Sequence, residues 1–489
     1  MKSPQLKRRD FQDSLKKDVG KKIAQFLSSP CRQCGKERIV SAIENYFGKK
    51  QKCIQCQVTS NMIWPIIVLI FLGLAITPES AKKIVADPLF QRTMMNLIKG
   101  IAFFGVQIPQ PTRVPAVIVW NCTNRCNLQC LHCHQSSTTS CSDRELTTSE
   151  ACTIVDKLSD AGVSILTFSG GEPLVRSDVF DLIKRATDKG MYCTIASNGT
   201  MMTREAVEKL HDSGIRRVEI GLDGVKPETH DFLRNKKGCF KATVEGIKNC
   251  VRHGYFDEIA ITTTLHQSNV HEIPQIIDFA ESLGGTRFYV NRLIPAGRGR
   301  DITHLDVPPE EKKNVLQHLH RRLQASVTTG RGIQCYARGM TYLSRVGYEE
   351  SQGQLFTVSE AFSGYENMFQ KKFGTELPKI VRHFAKSFSG CSAGLTYCGL
   401  SEQGNVLPCV PANISIGNLL TENLQDIWAN HKNLDRMRDR EHLQGSCGHC
   451  HYNGLCGGCR YTAFFLTNDW LGPDFSCPYE SQPQPCLGT

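Results

Sequence analysis

Between Val114 and about Arg300 the chain alternates short apolar runs with longer stretches whose apolar residues recur every three or four positions. The runs at 114–121, 163–168, 192–196, 216–222, 258–264 and 286–290 have the length and composition of strands. Helical periodicity fills the gaps, over Thr148–Asp160, Asp178–Lys189, Arg204–Asp212, Phe240–His253 and Val270–Leu283. Strands joined through helices run parallel, so the pattern predicts an α/β domain with a parallel sheet of βαβ units. Sites in such sheets gather at the C-terminal strand ends. That places interest on the loop after Thr123, on Gly170-Gly171-Glu172, Ser197-Asn198-Gly199, Asp223 and Asn291-Arg292.

The pattern before Val114 is different. Met62–Ile76 is an uncharged run of 15 residues, shorter than the roughly 20 that a spanning helix needs. A weaker apolar stretch, Met94–Ile108, is interrupted by Asn96 and Lys99. Residues 301–390 are helical and charged and read as a bridge to a final region, 391–489. At 489 residues the chain has room for about three domains.

Charge sharpens this division. Residues 1–57 hold 14 Lys and Arg against 5 Asp and Glu, a net of +9 out of +11 for the whole chain, which leaves +2 for the rest. Such an arm suits an anionic membrane surface; nothing else supports nucleic acid, and none is expected.

The 23 cysteines change the picture most. In a long chain without a secretory signal, cysteines in C-x2-C and C-x3-C groups read as metal ligands in a reducing cytoplasm, and so many clusters fit an anaerobe. Cys31, Cys34, Cys53 and Cys56 form two C-x2-C pairs separated by 18 residues, the spacing of a closed four-thiolate zinc site. Residues 1–57 are therefore expected to be a basic, zinc-ribbon-like region, with a cluster or free thiols as alternatives.

Cys126, Cys130 and Cys133 follow C-x3-C-x2-C, so one loop can wrap one cluster. A four-iron cubane takes four ligands, and three thiolates leave one iron open to a ligand. Some forty residues on, Ser169-Gly170-Gly171-Glu172-Pro173 follows an apolar run; paired glycines admit close backbone approach, and the carboxylate offers acceptors to an ammonium group. Near the C-terminus, Cys391, Cys398 and Cys409 precede C-x2-C-x5-C-x2-C at Cys447, Cys450, Cys456 and Cys459, then Cys477. The remaining cysteines, at 122, 141, 152, 193, 239, 250, 335 and 486, show no ligand spacing and read as small buried hydrophobes.

The three-cysteine loop and Gly170-Gly171-Glu172-Pro173 together resemble the radical S-adenosylmethionine (SAM) superfamily. The C-terminal cysteines resemble its SPASM extension, in the haem-biosynthesis and peptide-modifying branch, and the likeness covers residues 114–480. The resemblance implies a partial (β/α)6 barrel over 111–300. It implies a SAM-binding [4Fe–4S] cluster on Cys126, Cys130 and Cys133, with Gly170, Gly171 and Glu172 at the methionine amine. Ser197 and Asn198 would meet the ribose or carboxylate of SAM. By the same analogy one auxiliary [4Fe–4S] cluster takes Cys391, Cys398, Cys409 and Cys459, and the other Cys447, Cys450, Cys456 and Cys477. Asn291–Gly299 resembles the haem-biosynthesis branch, where Arg292 or Arg298 would meet a carboxylate. No catalytic acid or base is assigned.

The implied activity is reductive cleavage of SAM to a 5′-deoxyadenosyl radical, removal of a substrate hydrogen atom, and net oxidation through the auxiliary clusters. A ferredoxin or flavodoxin is the expected reductant. The substrate stays open among a ribosomal peptide, a tetrapyrrole side chain and a lipid. A membrane-tethered iron–sulfur electron carrier without SAM chemistry is the alternative. Both the basic arm and the cluster domain belong in the cytoplasm. Residues 58–110 should then form either a transmembrane hairpin or a segment lying in the interface, with a helix buried on the catalytic domain as the third alternative. The expected location is the cytoplasmic face of the membrane.

Overall fold

The computed structural model describes residues 18–46, 53–73, 78–140, 144–338, 390–450, 452–454 and 456–478. Residues 1–17 and 47–52 of the basic arm, residues 74–76 of the apolar run, and 339–389 of the expected bridge lie outside the described residues, as do Cys141 and Cys486.

All six expected strands form: β1 Val117–Thr123, β2 Ile165–Gly170, β3 Tyr192–Ser197, β4 Arg217–Gly221, β5 Glu258–Leu265 and β6 Arg287–Arg292. Three more join them, β7 Gln334–Arg338, β8 Tyr397–Leu400 and β9 Val406–Leu407. The sheet order is β7-β6-β5-β4-β3-β2-β1-β8-β9, parallel throughout except that β9 runs antiparallel to β8. Ile118 in β1 is in register with both Leu166 and Cys398. The cysteine-rich region is thus sewn into the same sheet as the α/β domain. Its docking is completed by Trp428, whose indole N–H donates to the Thr112 carbonyl at 3.0 Å.

Alternation along the strands sorts the side chains. Trp120, Phe168, Ile195, Ile220, Ile261 and Phe288 point to one face and are fully buried in the main core beneath the helices. The opposite face carries Arg217, Glu219, Glu258, Arg287 and Tyr289. This second face is concave. Arg338 of β7 pairs with Glu219 of β4 across the ring of Tyr289, three strand gaps or about 14 Å away if the sheet were flat. Arg217 and Arg287 each pair with Glu258 at 2.7 Å. Arg217, Glu258 and Arg287 are the first residues of β4, β5 and β6, so their cluster lies at the N-terminal end of the barrel.

Helix positions match their signals. Helix Thr148–Ala161 opens on a Thr147–Glu150 capping box and closes on Gly162 in the left-handed region. Helix Pro227–Arg234 was not legible, because its apolar face is only two turns long.

The N-terminal expectations need correction. The zinc-ribbon-like region is helical: a helix over 18–28 leads to a knuckle at Cys31–Cys34, then helix Arg38–Tyr46, and Cys53 and Cys56 bracket the start of helix Ile54–Gly73. Among the described residues its only strand-like contact is the bridge between Pro30 and Glu37.

Nor do the described residues form a transmembrane hairpin. Among the described residues no helix is long and apolar enough to cross a membrane. The first half of Ile54–Gly73 is polar, with Gln55, Gln57, Thr59, Ser60 and Asn61. The second stretch forms helix Pro88–Phe104, which is docked on the base of the barrel. There Asn96 is buried and exchanges two hydrogen bonds with Val114, at 2.9 and 3.0 Å. Arg92 donates to the carbonyls of Ser159, Val163 and Lys189. A polar residue inside an apolar stretch looked like an interruption of a span; here it is the docking contact.

Candidate functional site

The loop after β1 gathers its cysteines at the C-terminal edge of the sheet. Cys126 and Cys130 are buried with Leu128, and Cys133 packs beside them. Backbone and side-chain donors point at sulfur: Leu128 N–H lies 3.4 Å and the Asn198 amide nitrogen 4.0 Å from Cys126 Sγ. Hydrogen bonds to sulfur are one lever by which a protein tunes a cluster. Arg298 holds the loop from the far side, donating through Nε to the Cys130 carbonyl and through Nη1 to that of Ser137, both at 2.8 Å. Its own N–H reaches the Cys133 carbonyl at 3.0 Å. Three converging thiols with N–H donors on sulfur and no fourth cysteine in the motif fit a cluster with one open position.

The paired glycines bind this loop to β2. Gly171 and Glu172 N–H donate to the carbonyls of Thr123 and Arg125, at 2.8 and 2.9 Å. A Cβ on Gly170 would lie 2.3 Å from the Thr123 oxygen, and one on Gly171 2.1 Å from that of Arg125. Gly171→Ala is therefore expected to push the cysteine loop off the sheet, at a cost of about 1–3 kcal/mol. Iron content and the thermal midpoint read this, and unchanged values for both would contradict the tie.

Glu172 is tied into the protein by its neighbours. It is fully buried, and its carboxylate accepts from Ser197 Oγ at 3.0 Å to both oxygens, from Asn198 N–H at 2.8 Å and from Leu174 N–H at 3.2 Å. Burial pushes the carboxyl up, to about 7, while these donors pull it down. One hydroxyl and two N–H groups hold the carboxylate in place, out of about four acceptor sites that it offers. Ser197 likewise serves Glu172, and Asn198 bridges Asn127 and the cluster loop. Glu172, Ser197 and Asn198 thus shape the wall against which the loop stands.

Sequence reasoning singled out Asp223 but missed its company. Asp223 is fully buried; burial alone would raise its pKa, but the nearby Arg234 guanidinium holds it at about 2. The pair is 2.7 Å apart. His132, His230 and His266 surround this pair, and burial lowers all three, His132 to about 3 and His230 to about 4. His230 accepts from Asp223 N–H on Nδ1, leaving Nε2 to face Cys239 Sγ at 3.5 Å. Cys239 packs against Cys126 and Cys130. Isolated histidines in three separate segments carry no spacing signal, which is why they were not found.

The two candidate arginines are already engaged. Arg292, at the end of β6, pairs with Asp474 at 3.4 Å and bonds Ser476. Asp474 in turn accepts from Cys459 N–H at 2.8 Å. This joins the barrel rim to the C-terminal cysteines through Arg292, while Arg298 is bonded to the cysteine loop.

Among those cysteines, Cys391, Cys409 and Cys459 lie close enough for their charges to act on one another. Cys398 does not join them. It follows Tyr397 on β8 and so points to the opposite face, fully buried in the core. The Tyr397 hydroxyl instead lies on the Cys409 side, accepting from Val410 N–H at 3.3 Å. In the second group, Cys447 Sγ accepts from Asp474 N–H at 3.3 Å, Cys450 Sγ from Tyr452 N–H and Cys456 Sγ from Gly458 N–H, both at 3.4 Å. Cys477 N–H donates to the Asp474 carbonyl at 3.0 Å, which keeps its loop beside Cys447.

Comparison with known proteins agrees with this geometry. Residues 120–280 match the model of the radical SAM superfamily, and residues 391–451 that of SPASM, an iron–sulfur cluster-binding domain. An AdoMet-dependent heme synthase of Methanosarcina barkeri is 34% identical over 75% of this chain and 97% of its own length. A pre-heme d1 synthase of Dinoroseobacter shibae is 26% identical over 80% of this chain and 90% of its own. The crystal structure of Streptococcus suis SuiB bound to S-adenosylmethionine superposes with a TM-score of 0.59 at 16% identity, covering 86% of this chain and 89% of that one. With its cysteine loop, its glycine-tied wall and its second cysteine-rich layer, the chain belongs to the radical SAM superfamily and is an enzyme of the class that carries SPASM iron–sulfur clusters.

Proposed function

We propose that the chain oxidises a side chain of a carboxylate-bearing tetrapyrrole. The observation that carries this is the 34% identity to an AdoMet-dependent heme synthase across 97% of that relative's length. When bound, the cluster and SAM supply a 5′-deoxyadenosyl radical. The protein's part is positional: Cys126, Cys130 and Cys133 hold the cluster, Arg298 fixes their loop, and Gly170, Gly171 and Glu172 set the wall beside it. A hydrogen atom would pass from the substrate to that radical, giving 5′-deoxyadenosine, and one further electron would leave to the clusters that the C-terminal cysteines would hold. The substrate loses two electrons in all for each SAM consumed.

Cys447, Cys450, Cys456 and Cys477 would hold one auxiliary four-iron cluster, and Cys391, Cys409 and Cys459 the other. The Arg292–Asp474 contact keeps the second site at the barrel rim, where an electron has a short exit. A ferredoxin or flavodoxin would reduce the SAM-binding cluster.

The test is anaerobic turnover of reconstituted enzyme with SAM, dithionite and iron coproporphyrin III, followed by mass spectrometry. Loss of carboxylate mass from the tetrapyrrole, matched by 5′-deoxyadenosine, is the expected result. Background 5′-deoxyadenosine with an unchanged tetrapyrrole overturns the substrate assignment and moves attention to a peptide or a lipid.

We also place the N-terminal module at an anionic membrane surface on the cytoplasmic side. Val19, Ile23 and Phe26 are exposed at helical spacing, and so are Ile54, Val58 and Met62. Exposed apolar stripes beside a +9 segment suit a lipid headgroup boundary, at about 1 kcal/mol per nearby Lys or Arg.

A further inference from the structure

Helix Pro88–Phe104 grips the barrel, and a module beneath it grips that helix. Ile39, Ala42 and Ile63 form a small core, joined by Leu27, Val40 and Ile43 of the module and by Met95 and Ile98 of the docked helix. Lys99 pairs with Glu37, and Gln25 donates to the Ala102 carbonyl at 3.2 Å. The M. barkeri relative is matched over 97% of its length by only 75% of this chain, so a quarter of the chain is additional to the enzyme core.

At the centre of the module the apolar packing stops and sulfur replaces it. The cluster of buried residues there consists of Cys31, Cys53 and Cys56, with no aliphatic side chain among them. Cys31 and Cys53 Sγ are 3.5 Å apart, Cys34 and Cys56 Sγ 3.3 Å, and all four lie within 4.8 Å of one another. Tetrahedral zinc with Zn–S bonds of about 2.3 Å has sulfur–sulfur edges of about 3.8 Å, inside that limit. Four thiolates on four separate irons of a cubane would stand farther apart than four on one ion.

The surrounding backbone is built for the same purpose. Gly35, with φ of +74°, turns the chain so that its N–H donates to the Cys31 carbonyl at 2.9 Å, and Cys31 N–H returns to Lys36 at 2.7 Å. Ser41, the fourth residue of helix Arg38–Tyr46, donates to Cys56 Sγ at 3.3 Å. That hydrogen bond ties the sulfur site to the helix that packs under Pro88–Phe104.

We infer that Cys31, Cys34, Cys53 and Cys56 hold a single zinc ion whose role is to brace helix Pro88–Phe104 against the base of the barrel. A closed four-thiolate site has no position for substrate, and among the described residues the apolar cluster beside the site has just Ile39, Ala42 and Ile63 buried, a small core for a module to fold around without the ion. The ion is structural and independent of SAM chemistry.

The test uses the full-length chain purified anaerobically. Elemental analysis should give one zinc per chain alongside the cluster iron. Cys34→Ser with Cys56→Ser should lose that zinc and keep the iron, while hydrogen exchange accelerates at least tenfold over 38–46 and 88–104. If the double variant is insoluble, the single variant Cys34→Ser replaces it, with the same zinc, iron and exchange readouts. Iron at the site in place of zinc, or no metal there, overturns the assignment of the ion. Loss of zinc with unchanged exchange over 88–104 overturns the brace. Ser41→Ala should keep the zinc and show intermediate exchange.

Discussion

Cys409→Ala should keep forming 5′-deoxyadenosine yet release no oxidised product, with about four fewer irons per chain, whereas Cys398→Ala should keep its iron and its product. The two residues differ in the face of the sheet they occupy. Cys409 stands with Cys391 and Cys459 beneath the Tyr397 hydroxyl, while Cys398 is turned into the hydrophobic core opposite Ile118. Cys450→Ala or Cys456→Ala should behave as Cys409→Ala does, because the electron left on the substrate loses its exit. Iron content and product quantification decide this. Equal iron loss from Cys398→Ala and Cys409→Ala would return Cys398 to the ligand set. Normal product from Cys409→Ala and Cys450→Ala would make the auxiliary sites structural.

Asp223→Asn should destabilise the barrel by about 3–5 kcal/mol, because it leaves the Arg234 guanidinium buried without its counter-charge. Asp223 is held at about 2, below its unfolded value near 3.9. A carboxyl with a lowered folded-state pKa stabilises above the unfolded value and loses that contribution as pH falls through the folded one. The gap between wild type and Asp223→Asn should thus be full at pH 7 and shrink between about pH 4 and 2. Urea unfolding at several pH values reads it, and a gap that stays constant into acid would show that the pair is not the source.

The parallel sheet was legible because each strand is a short apolar run bounded by a strong helical period, and βαβ connectivity allows few alternatives. The strand ends were legible as a site for the same reason. What was not legible depended on contacts between distant segments. Glu172 read as a ligand group, since an acid after two glycines suggests recognition. Only the fold shows that Ser197 and Asn198, one strand over, hold that carboxylate in place. Cys398 read as part of a run of cysteines, but a strand's two-residue period turns it away from its neighbours. Asn96 and Lys99 read as breaks in a membrane stretch, though they are the polar contacts that seat a helix on the barrel and on the module below. β7 and β8 are five and four residues long, too short to show a period of their own, and they were placed by pairing with β6 and β1.

Central to all of this is the three-cysteine loop, and it can be tested without knowing the substrate. The measurement is SAM cleavage to methionine and 5′-deoxyadenosine by dithionite-reduced, reconstituted enzyme, comparing wild type with a variant in which Cys126, Cys130 and Cys133 are all replaced by Ala. The wild type is expected to cleave SAM, and the variant to contain about four fewer irons and to form no 5′-deoxyadenosine. A variant that still cleaves SAM, or a wild type that never does, would contradict the account and favour an iron–sulfur electron carrier.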